Sequence, residues 1–101
     1  MIPSVAYLIG VGGAGMSAIA RYLLKNGCKV YGYDKVKTSL TQELEREGVH
    51  VNYALSVSAI PEDVKIESGK LILITTPAIS SSHPHLIHLK DVLLHNLYLN
   101  P

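Results

Sequence analysis

Val5-Ala6-Tyr7-Leu8-Ile9-Gly10-Val11-Gly12-Gly13-Ala14-Gly15-Met16-Ser17-Ala18-Ile19-Ala20 is the stretch whose reading decides the fold. A short β-branched and aromatic run, then glycines, then an alanine-rich amphipathic run reads as strand, tight turn and helix. Gly10, Gly12 and Gly15 fit Gly-x-Gly-x-x-Gly, a pattern whose physics is anion binding at a helix N-terminus. The first glycine permits a sharp turn, and the next lets the backbone approach a phosphate with no Cβ in the way. The third is expected to let the helix pack close to the strand. Unpaired N–H groups of the first helical turn then face the phosphates, with the helix dipole behind them. Glycine-rich turns are common, so context carries the argument. A strand precedes the turn, a helix follows it, and Asp34 ends a second strand 19 residues beyond Gly15.

Working outward, the first helix is expected from Ala14 to Asn26, stopped by Gly27. Met16, Ile19, Ala20, Leu23 and Leu24 form its apolar face, with Arg21 and Lys25 towards solvent. A second strand from Lys29 to Asp34 follows at once, which implies a right-handed crossover and parallel pairing. Asp34 then faces the crevice beyond the carboxyl ends of the strands, where a carboxylate can accept hydrogen bonds from ribose hydroxyls or a base N–H. Ser39-Leu40-Thr41-Gln42 fits a capping box for a second helix running to Glu47, with Gly48 as its stop and Leu40 and Leu44 as its buried stripe. Glu43, Glu45, Arg46 and Glu47 read as its solvated face.

Val49 to Tyr53 reads as a third strand, and residues 54 to 69 as a loop with one helical turn broken by Pro61. Lys70 to Thr76 is the clearest strand, and its lack of polar alternation suits a central parallel strand covered on both faces. The first strand should be central, flanked by the second and by Lys70–Thr76, because the switch point must lie beside the glycine loop. Pro84 opens a last helix with Leu86, Leu89 and Leu93 as its stripe. Leu97-Tyr98-Leu99 is expected as a fifth strand, ended by Asn100-Pro101. The fold class is α/β, a Rossmann-like doubly wound parallel sheet of four to five strands with flanking helices.

The chain has 101 residues, 48% hydrophobic and 17% charged, with a net charge of +1. That is one globular domain, residues 1–101, large enough for a core but small for a complete enzyme. The near-neutral charge points away from nucleic-acid and membrane-surface partners. Residues 5–24 are apolar, yet four glycines and Arg21 interrupt them and no basic segment precedes them, so no membrane span is expected. The single cysteine, Cys28, reads as a small residue beside the second strand and suits a reducing, cytoplasmic compartment. His83, His85 and His88 lack the cysteine or fixed carboxylate that would complete a coordination set, so no metal site is expected and they read as polar residues at a helix start. No constellation for nucleophilic catalysis is present, so no catalytic residue is assigned.

The loop is more specific than a general dinucleotide fingerprint. Ile9-Gly10-Val11-Gly12-Gly13-Ala14-Gly15-Met16-Ser17 resembles the opening of the Mur ligases, most closely the branch that adds L-alanine. Gly32-Tyr33-Asp34, Leu40-Thr41-Gln42-Glu43-Leu44 with Gly48, and Thr75-Thr76-Pro77-Ala78-Ile79 fall in register with that family's first domain. The resemblance implies a cytoplasmic enzyme of peptidoglycan synthesis. Such an enzyme uses ATP and Mg²⁺ to join L-alanine to the lactyl carboxylate of UDP-N-acetylmuramate through an acyl phosphate. It further implies that this chain is the UDP-binding first domain, with ATP bound by a central domain and the amino acid handled partly by a C-terminal one. The sequence contains no Gly-x-x-Gly-Lys-Ser/Thr loop, so the chain alone is expected to bind and not to ligate, and to need no cofactor of its own.

Carried over by position, the backbone of Gly12, Gly13, Ala14, Gly15 and Met16 would hold the diphosphate, with Ser17 as a hydroxyl contact. Asp34 would sit by the uridine, and Thr76, Pro77 and Ala78 would line the other side of its pocket. The family often has Gly-His after the third strand, near the uracil, where this chain has Tyr53-Ala54. Two other functions begin with the same fold: the first part of an NAD-dependent oxidoreductase, and a stand-alone nucleotide-sensing module.

Overall fold

The computed structural model of the chain describes residues 4–62, 64 and 71–99. In order these form β1 (Val5–Ile9), α1 (Ala14–Lys25), β2 (Lys29–Tyr33), α2 (Ser39–Glu47), β3 (His50–Asn52), a 3₁₀ turn (Val57–Ala59), β4 (Leu71–Ile74) and α3 (Pro84–Leu99). The sheet order is β3-β2-β1-β4 and every pairing is parallel. β1 is therefore central, between β2 and β4, as the glycine loop at its end requires.

All five residues of β1 are buried. Ala6 and Leu8 face a core built with Met16, Ala20 and Leu23 of α1 and Leu44 of α2. Val5, Tyr7 and Ile9 face the opposite core, with Ile60 and with Leu86 and Leu89 of α3. A strand covered on both faces has no reason to alternate apolar with polar residues, and this one does not. β4, expected to be central as well, sits at the margin of the described sheet. Leu71, Leu73 and Ile74 are half-buried and Ile72 is 39% exposed. Lys70, expected to open this strand, lies outside the described residues, as do residues 65–69 of the preceding loop and Asn100-Pro101.

Three other expectations are corrected. Leu97-Tyr98-Leu99 is not a fifth strand but the last turn of α3. No glycine or proline interrupts the chain between Pro84 and Leu99, and a leucine-rich segment without a breaker propagates a helix already begun. The cap of α2 is Thr38, not Ser39: Thr38 Oγ1 accepts from Thr41 N at 3.1 Å and Thr41 Oγ1 accepts from Thr38 N at 2.9 Å. Threonine at the third helical position supplies the return bond that glutamine was expected to make. Close packing between strand and loop falls not at Gly15 but at Gly32 in β2, where a Cβ would lie 2.7 Å from Val11 Cβ.

α1 and α2 lie side by side over one sheet face, and Arg21 joins them. Its Nε and Nη2 donate to the two carboxylate oxygens of Glu47 at 2.8 and 3.0 Å, and Nη2 reaches Glu43 at 3.5 Å. The pair is exposed and screened by solvent, so it adds little to stability. Among the described residues no helix is long and apolar enough to cross a membrane.

Candidate functional site

The turn after β1 is pinned to the end of β2 by backbone bonds. Gly10 adopts φ +90°, the left-handed conformation that favours glycine, and its N–H and that of Val11 both donate to Tyr33 O, at 2.8 and 3.1 Å. Gly13 N then donates to Gly10 O at 3.0 Å. Asp34, one residue past β2, fixes the rest: Oδ2 accepts from Gly12 N at 2.7 Å and Oδ1 from Val36 N at 3.1 Å. Glycine is required at position 12 by this contact, since a Cβ there would lie 2.7 Å from Asp34 Oδ2 and 2.8 Å from Thr41 Cγ2.

α1 starts immediately beyond, at Ala14, with Gly13 as its N-cap and no side chain to cap it. Helical geometry leaves the N–H groups of Ala14, Gly15 and Met16 without intrahelical acceptors. No acidic residue stands in that first turn to offset the dipole. Gly13, Ala14 and Gly15 are exposed, and among the described residues nothing lies within 4 Å of the position a Cβ would take on Gly15. The fold thus presents a helix start with no side-chain cap and exposed residues at Gly13, Ala14 and Gly15. Ser17 is buried, and its hydroxyl donates back to Ala14 O at 2.8 Å.

The turn after β4 comes up against the loop from the other side. Ile79 N donates to Thr76 O at 3.0 Å, closing the turn over Pro77 and Ala78, and Ile79 Cδ1 lies 3.4 Å from where a Gly10 Cβ would be. Between these segments is a cleft of about 620 Å³ at the carboxyl ends of the strands. Of the residues expected at a site, Asp34 and Ala78 line it, joined by Gly10 from the fingerprint. Gly12 to Ser17 belong to the loop and helix start beside it, and Thr76 and Pro77 lie in the turn that carries Ala78.

The cleft also takes in residues that the sequence alone did not assign to the site. Tyr33 and Lys35 flank Asp34, Tyr53 and Leu55 follow β3, and Ile79, Ser80 and His83 follow β4. Their common signal is position, since each stands within a few residues of a strand's carboxyl end or at the start of the next helix. Tyr53 is held by its hydroxyl, which is 2.9 Å from Thr41 Oγ1 and 3.1 Å from Glu45 Oε1. Lys37 Nζ lies 5.7 Å from the centre of its ring, within cation–π range.

The histidines at the start of α3 divide into different roles. His85 is fully buried in a satisfied chain of hydrogen bonds. Asn52 Nδ2 donates to Tyr7 Oη at 3.1 Å, the Tyr7 hydroxyl donates to His85 Nδ1 at 2.9 Å, and His85 Nε2 donates to Ser56 O at 3.1 Å. That direction follows because a carbonyl can only accept, which places the imidazole proton on Nε2. Burial pushes the Tyr7 phenol well above its ordinary range and holds His85 below the usual histidine value, so both stay neutral. Among the described residues, no three His, Cys, Asp or Glu side chains converge on a metal position.

Comparison with known proteins identifies the family. Residues 5–97 match the family described as "Mur ligase family, catalytic domain". Similar proteins include the UDP-N-acetylmuramate–L-alanine ligases of Christiangramia forsetii, 43% identical over 84 residues, and Parabacteroides distasonis, 40% identical over 87. That of Cytophaga hutchinsonii is 46% identical over 77 residues. The alignments cover 83%, 86% and 76% of this chain but only 19%, 19% and 16% of those proteins, so the chain spans about a fifth of the length of the relatives it matches.

Proposed function

The chain belongs to the Mur ligase family, and from that premise we propose that it binds the UDP end of UDP-N-acetylmuramate. It does so as the first domain of a cytoplasmic, ATP-dependent ligase that adds L-alanine in peptidoglycan synthesis. The observation that carries the reading is the bare start of α1. Three N–H groups have no intrahelical acceptor, no acidic residue stands in the first turn, and among the described residues no neighbour of Gly15 requires a glycine there. The diphosphate is assigned to the N–H groups of Ala14, Gly15 and Met16, the ribose to Asp34, and the base to the cleft bounded by Tyr53 and by Ala78; the Gly13 N–H is taken by Gly10 O.

Gly12 shapes the loop rather than touching phosphate, because its N–H is taken by Asp34. Ser17 supports the helix start through its bond to Ala14 O, and Thr76 and Pro77 set the position of Ala78. ATP and Mg²⁺ are assigned to the longer protein's central domain. The sequence offers no Gly-x-x-Gly-Lys-Ser/Thr loop to cradle a triphosphate, and the described residues offer no cation cage. Under this reading the 101-residue chain binds without ligating.

Calorimetric titration of the chain with UDP-N-acetylmuramate, UDP, NAD⁺ and ATP tests the proposal. Both uridine ligands are expected to bind, with NAD⁺ and ATP at least tenfold weaker. Tighter binding of NAD⁺ than of UDP would favour the oxidoreductase reading and contradict this one.

A further inference from the structure

Leu55 is 51% exposed and lines the cleft. Single exposed leucines are ordinary on a protein surface and need no explanation. This one differs in where it stands. Among the described residues it is the large exposed apolar side chain that borders the cleft, whereas Ile19, Tyr22, Val36, Ile72 and Ile87 do not. Leu55 follows β3, while Ala78 and Ile79 follow β4, the strands at the two ends of the described sheet, so apolar residues come to the cleft from both sides. The backbone on either side of Leu55 is also pinned. Ala54 N donates to Asn52 Oδ1 at 3.0 Å, and Ser56 O accepts from His85 Nε2 at 3.1 Å and from Ala59 N at 3.0 Å. His85 is buried and is itself oriented by the Tyr7 hydroxyl, 2.9 Å from Nδ1. An apolar side chain on a free loop would fold back onto the nearest apolar surface to leave water. Anchored neighbours hold this one at the cleft.

We infer that Leu55 is the apolar wall against which the base of the nucleotide rests, and that His85 is the positioning residue that keeps it there. This deepens the proposed function and rests on it. A pyrimidine ring is flat, with its polar atoms at the edge and its faces free for apolar contact. A cleft bounded by Leu55 from one end of the sheet and by Ala78 and Ile79 from the other suits such a ring. Covering Leu55 takes out of water apolar surface that the folded chain leaves exposed, a gain realised only when a base is present. Pyrophosphate at the start of α1 has no base and gains nothing from it. His85 touches no ligand under this reading, because it is buried and acts through Ser56 O.

The test compares UDP with pyrophosphate on the parent chain, on Leu55→Ser and on Leu55→Met. Half of Leu55 is already in water, so both variants are expected to fold and to melt close to the parent. Leu55→Ser is expected to lower the ratio of UDP to pyrophosphate affinity about tenfold, and Leu55→Met, which keeps the apolar bulk, to hold it within about twofold of the parent. The role of His85 is read on the parent chain, from hydrogen exchange of its Nε2–H with each ligand at the same multiple of its dissociation constant. UDP is expected to slow that exchange about fivefold more than pyrophosphate does, because only UDP binding is coupled to the bond that holds the wall. A Leu55→Ser chain that keeps the full ratio overturns the wall, and equal slowing by the two ligands overturns the positioning role of His85. Either result leaves UDP binding at the loop intact. A parent chain that does not bind UDP overturns the proposed function and this inference with it.

Discussion

A Gly15→Ala chain is expected to melt at a higher temperature than the parent and to bind UDP at least tenfold more weakly. The two effects have separate causes. Among the described residues nothing lies within 4 Å of the added methyl, and the backbone there is not left-handed, so the folded state accepts alanine without strain. Alanine in place of a helical glycine lowers the entropy lost on folding and contributes up to about 1 kcal/mol. The same methyl stands in the open space before α1 and holds a phosphate away from the N–H groups of the first turn. Losing one charge-assisted hydrogen bond costs about 1.5–3 kcal/mol, or roughly 10- to 150-fold in affinity. Thermal melts and calorimetry on the same samples give both numbers. Undiminished UDP binding would mean that the space before Gly15 is not where the ligand sits. Gly12 is the wrong place for this test, because its side chain would collide with Asp34 and Thr41 and disturb the loop itself.

Asp34→Ala is expected to weaken UDP and pyrophosphate together, and UDP more. Its carboxylate holds Gly12 N at 2.7 Å and Val36 N at 3.1 Å. Removing it frees both N–H groups and loosens the turn that aims α1, a loss of about 1–3 kcal/mol in stability. Any ligand on the loop loses some affinity through that route. The nucleoside end loses a direct acceptor as well, so the ratio of UDP to pyrophosphate affinity should fall a further five- to tenfold. Equal losses for the two ligands would show that Asp34 acts only by holding the loop. Asp34→Asn keeps a side-chain carbonyl able to accept from Gly12 and should retain more pyrophosphate binding than Asp34→Ala.

The parallel sheet, its central first strand and the placement of Asp34 beside the glycine loop were legible in the sequence, because each rests on local chemistry. Glycines in fixed spacing, a β-branched run and a carboxylate at a strand end admit few arrangements. What escaped depended on contacts between distant segments. Gly32 looks like an ordinary strand glycine until Val11 is packed on it, and Gly15 looks like a packing glycine until its surroundings are found empty. His83, His85 and His88 read as one polar group. Only the fold separates His85, buried against Tyr7 and Ser56, from His83 at the cleft. Leu97 to Leu99 has strand-like composition, and only continuation from Pro84 makes it helical. Tyr53, which stands where a different residue pair was expected, lines the cleft because α2 anchors its hydroxyl, a contact spanning 12 residues of sequence.

The central claim is that the N–H groups at the start of α1 hold a diphosphate. The most direct measurement follows backbone amide resonances of the ¹⁵N-labelled chain during titration with UDP, with uridine as the phosphate-free control. The account predicts that the amides of Ala14, Gly15 and Met16 shift together along one saturating curve with UDP and remain in place with uridine. UDP saturating the chain while those three amides stay unmoved would contradict it.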